Sequence, residues 1–133
     1  MTGVFGGMIA DVSGGALNLK ILKGDTIDRT LLFKQSTEST AAALNLTGYK
    51  ARAQFRRANV STVLLDFSST ASPATITINS TAGSVRLTQT AATTAALPIG
   101  EGVWDLKLVL ISSGTVSTVA SGGFRIVETT TIA

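Results

Sequence analysis

The chain contains no cysteine and no histidine. Without cysteine there is no disulfide framework, no thiolate nucleophile and no cysteine-ligated metal. Without histidine, the commonest general base, the commonest metal ligand and the physiological pH switch are all missing. Asp and Glu number only 8, and they are scattered singly along the chain. No catalytic, cofactor-binding or metal-ligating residue is therefore assigned, and the chain is not expected to be an enzyme. Aromatics make up 5% and charged residues 14%, far from the dense Lys/Arg face of a nucleic-acid binder. No apolar run approaches the ~20 residues of a membrane span. No charged leader followed by an apolar run and a cleavage site opens the chain. Neither a nucleic-acid nor a membrane partner is expected.

What is present points to β structure. The 133 residues are 44% apolar, enough for the core of one domain. With so few aromatics, that core must be built mostly from Val, Ile, Leu and Ala. Thr and Ser supply about a quarter of the chain. Branching at Cβ suits Thr to a pleated surface and makes it poor in a helix interior. Net charge is +3, compatible with docking onto an acidic protein or lying near packaged DNA and demanding neither. Mean hydropathy is positive, which implies either a rich core or apolar surface that meets a partner.

The most informative stretch is Leu46-Thr-Gly-Tyr-Lys-Ala-Arg-Ala-Gln-Phe-Arg-Arg57. Tyr49, Ala51, Ala53 and Phe55 alternate with Lys50, Arg52, Gln54 and Arg56, the period of two that a half-buried strand requires. The same alternation recurs through Leu17/Leu19/Ile21, Ile27/Leu31/Phe33, Val63/Leu65/Phe67, Ile76/Ile78, Val85/Leu87, Trp104/Leu106/Leu108 and Phe124/Ile126. Residues 76–88 read as a hairpin around Ser80-Thr-Ala-Gly83. Residues 90–97 are the one plausible helical turn, stopped by Pro98. Gly122-Gly123 suggests a bulge or a change of sheet. Eight or nine short strands with regular turn signals describe an all-β, antiparallel β-sandwich with one short helical turn.

Residues 1–16 stand apart. Five glycines are interspersed with Val4, Phe5, Met8 and Ile9 without a sustained period. Two readings stand: a frayed terminus, or a flexible arm that orders when its apolar residues dock on a neighbouring subunit. The chain thus divides into a Gly-rich N-terminal arm, 1–16, and a sandwich domain, 17–133.

The cationic cluster is Lys50, Arg52, Arg56 and Arg57. Two readings stand here as well: a solvated strand face, where long stems cover apolar surface and heads reach water, or a docking surface for an acidic protein. Stacking of nucleic-acid bases would need aromatics between these cations, and Tyr49 and Phe55 fall on the opposite face. Together with Val4, Phe5, Met8 and Ile9, these four are the candidate partner-binding residues. Arg29 shares a face with Ile27, Leu31 and Phe33. A buried, unpaired Arg is costly, so Asp66, Asp105, Glu128 or a subunit contact is expected to answer it. Trp104 reads as a core anchor.

The order of features resembles a known group. Lys23-Gly-Asp-Thr26 leads a strand ending in Leu31-Leu-Phe33. Leu44-Asn-Leu-Thr-Gly-Tyr49 then opens the alternating strand Ala51-Arg-Ala-Gln-Phe-Arg56. Later, Ala95-Ala-Leu-Pro98 precedes Val103-Trp-Asp-Leu-Lys-Leu108. Over about residues 20–127 this is similar to tailed-phage and prophage structural proteins, in particular the N-terminal domain of baseplate upper proteins (the BppU-like group). The resemblance implies an immunoglobulin-like β-sandwich. It also implies a virion component made in the host cytoplasm, in the tail as part of a baseplate or tail-fibre attachment. Its partners would be other virion proteins, in a homo-oligomer or a ring. The alternatives are a capsid decoration or cement protein, and a carbohydrate-binding module for host recognition.

Overall fold

In β5 (Tyr49–Arg56) the expected alternation is realised: Ala51, Ala53 and Phe55 are buried, while Lys50, Arg52 and Arg56 face solvent. The computed structural model describes residues 2–5, 8–11, 17–34, 42–57 and 61–129, with only the backbone of 2–5 and 8–11. The other strands are β1 (Thr2–Phe5), β2 (Met8–Asp11), β3 (Leu19–Leu22), β4 (Ile27–Phe33), β6 (Val63–Ser68), β7 (Ile76–Asn79), β8 (Ser84–Gln89), β9 (Gly100–Leu110) and β10 (Thr115–Val127). A five-residue helix, α1 (Ala91–Ala95), precedes β9. The first sheet runs β3-β10-β9-β5-β6 and the second β2-β1-β4-β8-β7.

This order defines the fold. β4-β8-β7 and β6-β5-β9-β10 reproduce the B-E-D and C′-C-F-G sheets of an immunoglobulin-like sandwich, in the same chain order. The apolar halves of the alternating strands meet between the sheets. Leu31, Phe33, Ile76, Val85 and Leu87 come from one side, and Phe55, Phe67, Trp104, Leu106 and Ile126 from the other. Each such side chain, fully buried, contributes about 1.5–3 kcal/mol. Three rings gather on Phe55: Phe67 at 5.5 Å, Trp104 at 5.5 Å and Phe124 at 5.2 Å between centroids. The turn entering β5 needs Gly48 (φ +83°), where the Tyr49 N–H donates to the Leu46 carbonyl at 3.2 Å.

Two expectations change. Not every pair is antiparallel, because β3 lies parallel to β10 with Leu19 opposite Phe124 and Leu22 opposite Val127. Gly122-Gly123 marks neither a bulge nor a sheet change; β10 is one continuous strand whose register shift falls between Thr118 and Ala120. Gly122 is needed because the backbone of Leu17 occupies the space a Cβ would take. Within residues 1–16 two strands are described: β1 pairs with β2 and with the Leu31–Phe33 half of β4.

Candidate docking face

The outer surface of the first sheet brings together Lys50, Arg52 and Arg56. On β5 they share one face at positions 50, 52 and 56, with Gln54 between the arginines, and strand register gives each its neighbours. Lys50 stands opposite Val109 on β9, Arg52 opposite Lys107 on β9 and Ser68 on β6, and Arg56 opposite Val103 and Val63. Sequence alternation alone made this face purely cationic. The fold supplies its anion from β6: Asp66 holds Arg52 through two bonds, Nε–Oδ1 at 3.3 Å and Nη2–Oδ2 at 2.8 Å. That hydrogen bond, with the attraction of the carboxylate, raises the Arg52 pKa further above its usual range. Both partners are solvent-exposed, so the pair orders the face more than it stabilises the fold. Lys107 Nζ donates to Thr118 Oγ1 at 2.7 Å, and Arg56 Nη2 donates to Gln54 Oε1 at 2.6 Å.

Arg57 lies at the end of the strand rather than on its face. Its Nη2 donates to the Ile99 carbonyl at 3.0 Å, linking the exit of β5 to the entry of β9. Beside it, the surface turns apolar. Val103 is 50% exposed, Ile99 55% and Val63 38%. Val63 was expected in the core with Leu65 and Phe67. It is on the surface because Phe55 pairs with Leu65 but Arg56 pairs with Val63, so Leu64 bulges out of the ladder and the alternation beyond it reverses. No pattern in the sequence announces that bulge. The result is a row, Val63–Arg56–Val103, flanked by Ile99 and Arg57.

Val4, Phe5, Met8 and Ile9 have backbone places in β1 and β2, and their side chains lie outside the described residues. Arg29 does not meet Asp66, Asp105 or Glu128 in any hydrogen bond or ion pair among the described residues. It is exposed on β4, opposite Leu87, where its charge helps lower the pKa of Asp28 behind the larger effect of the Arg86 hydrogen bond. Trp104 is buried as expected and also hydrogen-bonded: its Nε1–H donates to the Leu17 carbonyl at 2.8 Å. The rings of Phe33, Phe55, Phe67, Trp104 and Phe124 are all buried, and a sugar-stacking platform cannot be assembled from them. No group of three or more Asp or Glu among the described residues could hold a metal ion. No described helix is long and apolar enough to cross a membrane.

Thr94 escaped the sequence reading. It is fully buried, donates its hydroxyl to the Asp25 carbonyl at 2.7 Å and accepts from the Gly24 N–H at 3.1 Å. A Thr in a Thr/Ala-rich helical turn carries no mark that distinguishes it from Thr93, which is exposed.

No family model and no curated protein matches the chain. Among solved structures it is similar to Drosophila OTK, extracellular domains 3–5, with 16% identity and a TM-score of 0.37. The match covers 88% of this chain and 34% of that one, so the chain spans about a third of that structure's length. The class defined by the strand order is an immunoglobulin-like β-sandwich.

Proposed function

We propose that the chain is a non-enzymatic structural protein of a phage virion, a tail component of the baseplate or the tail-fibre attachment, that assembles through the outer face of its first sheet and its N-terminal strands. The observation that carries the docking surface is the Val63–Arg56–Val103 row beside Ile99 and Arg57. Exposed apolar side chains set among arginines match the make-up of interfaces better than that of an idle solvated face. Arg is also among the residues that anchor binding energy when covered. The virion reading rests on the resemblance, and the motifs that carry it are structural punctuation here. Lys23–Thr26 turns β3 into β4, Leu46–Tyr49 turns into β5, and Ala95–Pro98 runs from the last residue of α1 towards β9. Leu46 and Leu97 plug the core at two of these junctions.

The test is mass spectrometry and antibody labelling of gradient-purified particles from a host carrying the gene. Labelling at the tail supports the proposal. Labelling spread over the head would move the chain to capsid decoration, and absence from washed particles would discard the virion reading.

A further inference from the structure

The opposite flank of the sandwich holds two features that the outer face does not use. The first is an open strand edge. Among the described residues β3 pairs only with β10. The Leu17 N–H donates to the Ser121 carbonyl and the Lys23 N–H to the Val127 carbonyl, at 2.8 and 2.9 Å. In a parallel ladder successive residues bond to opposite sides. Odd-numbered residues therefore face β10, and the N–H and C=O of Lys20 and the N–H of Leu22 point to the open edge. The second feature is a cavity of about 420 Å³ directly inside that edge. Phe55, Phe67 and Leu87 form its floor, Ile21 and Ile27 its walls, and Arg29 lines it as well. Nothing among the described residues closes this flank from the second sheet, since β1 pairs with β4 only over Leu31–Phe33.

We infer that this flank is a strand-acceptor site, where an extended segment of a partner protein adds to the free edge of β3, seats an apolar side chain in the cavity and sets a carboxylate against Arg29. An added strand would offer its backbone to Lys20 and Leu22. Its alternate side chains would point inward, as those of Leu19 and Ile21 do. An apolar residue followed two positions later by Asp or Glu therefore fits both the cavity and the guanidinium. A free fatty acid could use the cavity and Arg29 but would leave the Lys20 backbone groups without a protein partner. The coincidence of edge and cavity selects the strand. This site is separate from the outer face and stands whether or not that face docks.

The experiment uses the full chain and a blocked threonine-rich heptapeptide containing one isoleucine and, two residues on, one aspartate. Binding should slow amide hydrogen exchange at Lys20 and Leu22 at least tenfold by NMR. It should also shift the emission of Trp104, the only tryptophan, which stacks on the cavity-floor residue Phe55. Replacing the peptide aspartate by asparagine should weaken binding about tenfold, the effect of losing one charge-assisted pair. In Arg29→Gln that discrimination should disappear while the thermal midpoint holds, because Arg29 is exposed. Unchanged exchange at Lys20 and Leu22 in millimolar peptide would overturn the inference, as would discrimination that survives in R29Q. Decanoate serves as the small-molecule arm. If it shifts Trp104 while the peptide does not, the cavity is a lipid pocket and the strand-acceptor assignment fails.

Discussion

Phe55 and Trp104 stand directly opposite each other on β5 and β9 and stack with 16° between their ring planes. The stack fixes the indole so that its N–H reaches the Leu17 carbonyl, which lies on the segment entering β3. One side chain thus joins the aromatic core, the central strands and the edge of the first sheet. Trp104→Phe should keep most of the packing, remove the donor and leave a buried carbonyl unanswered. The expected loss is about 2–3 kcal/mol of unfolding free energy, from the missing hydrogen bond plus a small void. Urea denaturation followed by circular dichroism measures it, and a loss below about 0.5 kcal/mol would show that the bond is idle.

Thr94 gives a cleaner version of the same experiment. Valine has nearly the same shape and neither donor nor acceptor, so Thr94→Val should strand the Gly24 N–H and the Asp25 carbonyl at a cost of about 1–3 kcal/mol. Thr94→Ser keeps the hydroxyl and should retain more of the stability than Thr94→Val. Equal thermal midpoints for the two variants would refute the role given to the hydroxyl.

Gly122 and Gly123 are adjacent and should behave differently. A methyl group at Gly122 meets the backbone of Leu17, which cannot swing aside, whereas one at Gly123 has its nearest neighbour, Asn18 Oδ1, at 3.4 Å. Gly122→Ala should cost roughly 3 kcal/mol or more, or prevent folding, while Gly123→Ala stays within about 1 kcal/mol. Soluble yield and denaturation midpoints of the pair decide it.

Asp28 and Arg86 form a two-bond pair across β4 and β8, at 2.8 and 2.7 Å. The Arg86 hydrogen bond holds the Asp28 carboxyl below its ordinary value of 3.8. A carboxyl lowered in the folded state contributes stability above its unfolded pKa and loses it as pH falls through the folded one. The contribution should be intact at neutral pH and disappear only below about pH 4. Its size is small, because both groups are exposed. In Arg86→Gln, an NMR titration should find the Asp28 pKa moved upward, and an unmoved value would contradict the assigned cause.

On the outer face, Arg56→Glu and Val103→Glu should leave folding stability within about 0.5 kcal/mol, as for other exposed sites, and should lower incorporation into particles. Quantitative blotting of purified virions from complemented hosts reads that loss. Wild-type incorporation of both variants would remove the face from the assembly.

Strand positions and their buried faces were legible because they depend on local alternation. Leu31 with Phe33, Leu65 with Phe67 and Trp104 with Leu106 and Leu108 all face the core as the period of two requires. The arginines of β5 were legible as a face for the same reason. Partners across the sheet were not, since register is set by strands distant in sequence. Asp66 beside Arg52 and Val63 beside Arg56 both arise from the β5–β6 pairing and its bulge. The parallel placement of β3 on β10 is a matter of topology, and nothing in the alternation of Leu19–Leu22 sets the direction of its partner strand. Arg29 looked like a core residue missing its counter-ion because alternation puts it on the face of Ile27 and Leu31, whereas in the fold it is exposed.

The parallel pairing of β3 with β10 has a mechanical consequence. The chain enters the sheet before Leu19 and leaves it after Val127, at opposite ends of two strands lying side by side. Tension between those flanking segments loads the β3–β10 ladder along its length. The bonds from Leu17 to Ser121 and from Lys23 to Val127 must then yield together instead of opening one at a time like a zipper. A force along that axis therefore meets more resistance than one that peels the two strands apart from one end.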